Sequence, residues 1–165
     1  MSDSVPSPDG ETTAFSVGSE SFFALAGELL AAGKRVSMTP TGSSMLPTLR
    51  GGRDTVVLEA PGERKLRRGD MILYRRLDGT YVLHRIVKVS APRRRYTLCG
   101  DNQIAPERGI DREQVLAVLR SFRRGSREID CDGLFFRLYS EVWMALRFPR
   151  KIYHYLKRRV SGIFR

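Results

Sequence analysis

A serine hydroxyl set between glycine and proline is the first place in this chain where covalent chemistry could occur, in the run Thr41-Gly42-Ser43-Ser44-Met45-Leu46-Pro47-Thr48-Leu49. A serine is a weak nucleophile until a neighbouring base takes its proton. Backbone N–H groups in such a turn could also stabilise an oxyanion. Histidine suits the base role, because its ordinary pKa of about 6.5 leaves it largely neutral at physiological pH. The chain has two, and His154 belongs to a basic tail, so His84 is the candidate. His84 lies in Tyr81-Val82-Leu83-His84-Arg85-Ile86-Val87, where strand alternation puts Val82 and His84 on one face and Leu83 and Arg85 on the other. A carboxylate that accepts a hydrogen bond from imidazole fixes its tautomer and stabilises its charged form. Asp101 in Cys99-Gly100-Asp101-Asn102, and Glu107 and Asp111 in Glu107-Arg108-Gly109-Ile110-Asp111, are the candidate acids. Taken singly, each element also has a plainer reading. These are a serine-rich turn with Met45 packed inward, an ordinary core or edge histidine, and a turn closed by Asp and Asn side chains.

The elements that must position these groups are legible in the hydrophobic pattern. A chain of 165 residues supports one domain with tails. Residues 1–18 are rich in Ser, Pro, Asp, Gly and Thr and read as a flexible lead. The domain is expected over residues 19–131. It opens with a helix over 19–32, in which Phe22, Leu25, Ala26, Leu29 and Ala32 recur at helical spacing and Gly33 ends the run, packing one edge of the core. Short β runs follow at Asp54–Ala60, Met71–Arg75, Thr80–Ser90, Tyr96–Cys99 and Val115–Phe122, with Asp78-Gly79 marking a hairpin. The fold class is therefore mostly β: a compact β domain with an N-terminal helix and a basic C-terminal helical tail.

Four motifs in order, Ser44-Met45-Leu46-Pro47-Thr48-Leu49, Arg68-Gly69-Asp70, His84-Arg85-Ile86-Val87 and Gly100-Asp101-Asn102, resemble signal peptidase I and the wider superfamily that includes LexA-type repressors. The match covers roughly residues 35–122. Bacterial signal peptidases usually carry lysine at the position of His84. Histidine there is similar to the archaeal and endoplasmic-reticulum branch, and the overall look, including Arg50-Gly51-Gly52-Arg53-Asp54, is similar to small stand-alone bacterial members, some of which are thought to mature exported peptides. The resemblance implies a serine endopeptidase with Ser44 as nucleophile, His84 as general base and Glu107 as the orienting acid, Glu standing where the branch has Asp. Asp111 is the second choice for that acid, and Asp101 a residue that holds its loop. Met45 and Pro47, flanking the nucleophile, are the expected substrate-binding residues, and the resemblance implies a peptide or protein substrate with small side chains on the acyl side of the cut. Two departures stand out. Gly42 replaces a hydroxyl residue that helps stabilise the oxyanion in many members, and no membrane anchor is evident. Self-cleavage of the LexA type fits poorly, since the base is a histidine and the short N-terminal region has no helix-turn-helix.

The remaining composition bounds partners and location. The formal charge is +11, and no Lys or Arg precedes Lys34, so the basic character lies downstream. Residues 132–165 form the expected tail, with Leu134, Phe135, Leu138, Val142 and Leu146 roughly on one helical face and Pro149 as a break. Tyr139, Trp143, Phe148, Tyr153 and Tyr155 add aromatic surface among Lys and Arg. This composition suits either peripheral contact with a membrane interface or a helix that covers the β core. No nucleic-acid recognition motif is present. Cys99 and Cys131, without a CxxC or Cys/His cluster, read as reduced thiols, and no metal or cofactor is expected. With neither signal peptide nor spanning stretch evident, a cytoplasmic location, peripheral to the membrane, is the expectation.

Overall fold

The computed structural model describes residues 13–15 (backbone), 20–91, 95–146 and 149. Its elements are β1 (Thr13–Phe15), α1 (Glu20–Ala31), β2 (Val36–Met38), β3 (Thr55–Glu59), β4 (Met71–Arg75), β5 (Tyr81–Val89), β6 (Arg95–Cys99), β7 (Glu107–Asp111), a 3₁₀ turn at Arg112–Gln114, β8 (Val115–Arg124), β9 (Arg127–Asp130) and α2 (Leu134–Ala145). The fold is mostly β, as expected. The strands form one sheet in the order β1-β2-β3-β8-β4-β5-β6-β7, with β9 beside β8. Neighbours are antiparallel except β1 and β2, which run parallel. Strand β8 is the spine. One edge pairs with β3, while the other pairs with β4 over Val115–Val118 and with β9 over Ser121–Arg124.

Alternation along the strands sorts the apolar side chains into two clusters. Met71, Leu73, Leu83, Ala117 and Leu119 join the first, together with the buried face of α1. Ile72, Tyr74, Ile86, Leu98 and Val118 join the second. Phe22, Ala26 and Leu30, one helical turn apart, are the buried residues of α1. Leu25, expected on that face, is instead exposed. Gly33 takes a φ of +76°, and Lys34 N–H donates to the Leu29 carbonyl at 2.9 Å, the Schellman-type cap that stops α1. The expected lead over 1–18 is corrected at one place: Thr13–Phe15 is a short strand registered against Val36–Met38, which supplies the parallel edge partner. The remainder of that lead, and the tail from Arg147 apart from Pro149, lie outside the described residues, as do His154, Tyr153 and Tyr155. Among the described residues no helix is long and apolar enough to cross a membrane.

Candidate active site

The serine run forms the loop between β2 and β3. Gly42 has a φ of +84°, a left-handed conformation that a side chain bearing Cβ adopts only with strain. Gly51 is required for a different reason, since a Cβ there would lie 2.3 Å from the Gly42 carbonyl oxygen. Buried Met45 and Leu49 plug the loop into the first cluster, and Leu49 N–H donates to the Met45 carbonyl at 2.9 Å. The far end is tied by Asp54, whose fully buried carboxylate accepts from Arg50 N–H (3.0 Å), Arg53 Nε (2.6 Å) and Arg124 Nη2 (2.9 Å). Burial alone would raise the Asp54 carboxyl pKa. The hydrogen bonds from Arg53, Arg124 and Arg50 N–H overcome that and hold it well below the usual carboxylate range.

Ser44 is half-buried at the mouth of an apolar cleft of about 130 Å³. Met38, Met45, Leu73, Leu83 and Phe23 are among its walls, and Phe23 of α1 stacks on Tyr81 with ring centroids 4.0 Å apart. Met45 lines this cleft beside Ser44. Pro47 is exposed and does not line this cleft. The Ser44 backbone is seated on the Gly100-Asp101-Asn102 turn. Asn102 N–H donates to the Ser44 carbonyl at 2.8 Å, and Asn102 Nδ2 donates to the Ser43 carbonyl at 3.3 Å. Gly100 faces the same carbonyl so closely that a Cβ would come within 2.5 Å of it.

His84 sits on β5 opposite Ile72 of β4, and only 1% of its side chain is exposed. Its Nδ1 lies 3.4 Å from Glu107 Oε1 and 3.4 Å from the Tyr74 hydroxyl. Glu107, at the start of β7, is gripped by Arg76 on both carboxylate oxygens, with Nε donating to Oε2 at 2.8 Å. The hydrogen bonds from Arg76 lower the Glu107 pKa against the opposing effect of burial. Burial pushes the His84 imidazole down to about 4; the Glu107 carboxylate offsets part of that, and the Arg76 charge adds to it. His84 is therefore neutral at pH 7, and both of its contacts use Nδ1, which leaves Nε2 as the nitrogen available to accept a proton. Burial, followed by its hydrogen bond to the Glu107 carboxylate, pushes the Tyr74 phenol up, so it stays protonated and donates to Glu107, as a proton on His84 Nδ1 would.

Arg85, the next residue on β5, points to the other side and is fully buried. Its Nε and Nη2 grip Asp101 at 2.8 and 2.7 Å, and its Nη1 donates to the Gly69 carbonyl at 3.0 Å and to Ser140 Oγ of α2 at 2.7 Å. Thr48 donates its hydroxyl to the same Asp101 carboxylate and lies 3.0 Å from the Tyr139 hydroxyl. One ion pair thereby links four places in the fold: the nucleophile loop, the Arg68-Gly69-Asp70 turn, the Gly100-Asp101-Asn102 turn and α2. A bidentate arginine with its remaining donors satisfied is the form in which a buried charge is tolerated.

The structure brings His84 and Glu107 together and joins Ser44 to the Gly100 turn. It does not hydrogen-bond Ser44 Oγ to His84 among the described residues. Tyr81, Val82 and Leu83 of β5 line the Ser44 cleft, whereas the His84 imidazole does not and packs beside Tyr74. Asp101 holds Arg85 rather than His84. Asp111 lies at the far end of β7, paired with Arg95 Nε at 3.1 Å. Sequence reasoning missed Arg76 and Tyr74 as partners of the acid and the base. Their signal was the strand period: Tyr74 falls two residues after Ile72 on the His84 face, and Arg76 falls two after Tyr74. Neither Cys99 nor Cys131 forms a disulfide; the Cys99 thiol donates to the Gln103 carbonyl at 3.4 Å, and burial pushes Cys131 up to about 12. No cluster of three His, Cys, Asp or Glu side chains fit to hold a metal occurs among the described residues. The chain matches no protein-family model and no curated protein.

Proposed function

We propose that this chain is a serine endopeptidase of the signal peptidase I type. Ser44 Oγ attacks the peptide carbonyl while His84 Nε2 takes its proton. The same nitrogen then returns the proton to the leaving amine, and water hydrolyses the acyl-enzyme by the reverse sequence. The observation that carries this reading is the buried, neutral His84 with its Nδ1 side against a carboxylate that Arg76 holds in place. Charging the imidazole in that apolar site is costly, and Glu107 stands where it would offset the cost. This mechanism requires a Ser44–His84 contact that the free chain does not make, so the Ser44 loop must move toward the imidazole as the substrate seats. The small apolar cleft beside Ser44 has room for a short aliphatic side chain on the acyl side of the cut. With Gly42 lacking a hydroxyl, the oxyanion relies on backbone donors such as the N–H of Ser44.

The test is labelling by a small serine-directed acylating agent, a β-lactam or lipopeptide of the kind that acylates signal peptidases, read by intact mass. The wild type should gain one adduct, and Ser44→Ala and His84→Ala should gain none; Ser44→Ala should keep the wild-type melting temperature, whereas His84→Ala, which empties a buried site, should melt lower while remaining folded at the assay temperature. Adducts on Ser44→Ala at the wild-type rate would rule out the mechanism. A second reading is favoured by one observation, the missing Ser44–His84 hydrogen bond. On that reading the fold is a non-catalytic module that binds peptide or membrane. It expects no adduct on any variant, and binding that survives Ser44→Ala.

A further inference from the structure

Helix α2 carries an apolar face that nothing among the described residues covers. At about 100° per residue, Leu134, Phe135, Leu138, Val142 and Leu146 fall within an arc of roughly 120°. They are 86%, 85%, 63%, 52% and 46% exposed. The opposite face is the one that packs, with Phe136, Ser140 and Met144 buried. Polar side chains occupy the border between the two faces: Arg137 is exposed, and Glu141 pairs with Arg68 at 2.7 Å. Covering the β core therefore explains one face of this helix and leaves the other unexplained. Immediately after it the sequence places Arg147, Arg150, Lys151, Lys157, Arg158, Arg159 and Arg165, with no Asp or Glu among them.

We propose that this face of α2 is a docking surface for an anionic lipid bilayer, the helix lying flat with its apolar arc at the acyl boundary and the adjoining basic residues on the headgroups. The charge selects this occupant. An apolar arc alone would accept a second copy of the chain, but a neighbouring stretch with seven cations and no anion repels its own copy and is complementary to acidic headgroups. Each cation near such a surface strengthens binding about fivefold. Length agrees: twelve residues of helix span roughly 18 Å, too short for the roughly 30 Å of a hydrocarbon core and suited to lying in the interface. The inner face adds an orientation. Tyr139 and Ser140 are bonded to Thr48 and Arg85, so a bilayer held by α2 is held in register with the loop that carries Ser44. The inference stands whether or not Ser44 is catalytic.

The experiment is co-sedimentation of the full chain with vesicles of phosphatidylcholine, with and without phosphatidylglycerol, at low and high salt. It is run on the wild type and on Phe135→Ser/Leu138→Ser, with melting temperature and sedimentation velocity recorded in the absence of lipid. The wild type should bind the anionic vesicles and lose most of that binding at high salt. The double variant should bind about tenfold or more weakly for the loss of two apolar contacts, with an unchanged melting temperature. The proposal is overturned if the wild type ignores anionic vesicles, or if the variant binds them as well as the wild type. It is also overturned if the variant melts lower, which would mean that the chain's own tail covers the face, or if a lipid-free dimer dissolves in the variant, which would mean that a second copy does.

Discussion

Replacing Gly100 with alanine inserts a single methyl group between the Gly100-Asp101-Asn102 turn and the backbone of Ser44. Gly100 does not have the positive φ that would make a side chain strained in its own right, so the effect is one of contact. The added Cβ would stand 2.5 Å from the Ser44 carbonyl oxygen and 3.1 Å from the Gln103 side chain, where ordinary contact begins at 3.4 Å. To make room, the Ser44 carbonyl must retreat by the difference between 3.4 and 2.5 Å, about 0.9 Å, which breaks or lengthens the 2.8 Å bond from Asn102 N–H. Overpacking of this kind costs roughly 1–3 kcal/mol. For a chain of 165 residues that lowers the melting temperature by roughly 2–12 °C, at about 2–4 °C per kcal/mol. The effect on chemistry is larger, because a misplacement near 1 Å costs about a hundredfold in rate. Gly100→Ala should therefore label with the acylating agent about a hundredfold more slowly while remaining folded, measured as adduct mass against time beside a thermal melt. Labelling at the wild-type rate with an unchanged melt would refute the placement of Ser44 against this turn.

Arg76→Gln releases the Glu107 carboxylate and removes a charge that depresses His84, so both pKa values rise and the acid limb of the labelling-rate profile should move to higher pH; an unmoved limb would remove Arg76 from any positioning role. Stability should fall as pH drops from about 6.5 to about 4, because across that window the unfolded chain binds a proton at His84 that the native chain does not. The loss amounts to roughly 3 kcal/mol and levels off below the lower value. Denaturant midpoints taken across that range should show it, and His84→Gln should flatten it. Asp101→Asn leaves the fully buried Arg85 without its counter-charge and should cost about 3–5 kcal/mol, read by urea unfolding.

Where the sequence pattern succeeded, local rules and tertiary structure agreed. Met71–Arg75 is delimited to the residue because Gly69-Asp70 opens and Arg75-Arg76 closes the apolar run Met71–Tyr74, ahead of the Asp78-Gly79 turn. The sides taken by His84 and Arg85 followed from alternation alone, and Glu107 was placed against His84 by its position in the motif rather than by any hydrophobic signal. Where the pattern failed, the residues carry little burial information. Strand β7 reads Glu-Arg-Gly-Ile-Asp, and only Ile110 of it is buried, so pairing with β6 rather than a hydrophobic period makes it a strand. Strands β2 and β9 are three and four residues long, too short for any period to show. The strand period sets Arg76 on the His84 face, but an arginine after a strand is ordinary in a basic chain, and its role appears only once β7 brings Glu107 across. The distance from Ser44 to His84 depends on how a loop crosses a strand edge, which no spacing in the sequence encodes.

The double pairing of β8 also has a consequence in time. Strand β3, which closes the Ser44 loop, has β2 on one side and waits for β8 on the other; Arg124, which locks Asp54 and Thr48, is the last residue of β8. A chain emerging from the ribosome at about 5–20 residues per second would expose Thr48 roughly 4–15 s before Arg124. Through that interval the serine is present but the loop has no lock, so the candidate hydrolase is born inert and becomes competent only when its spine arrives.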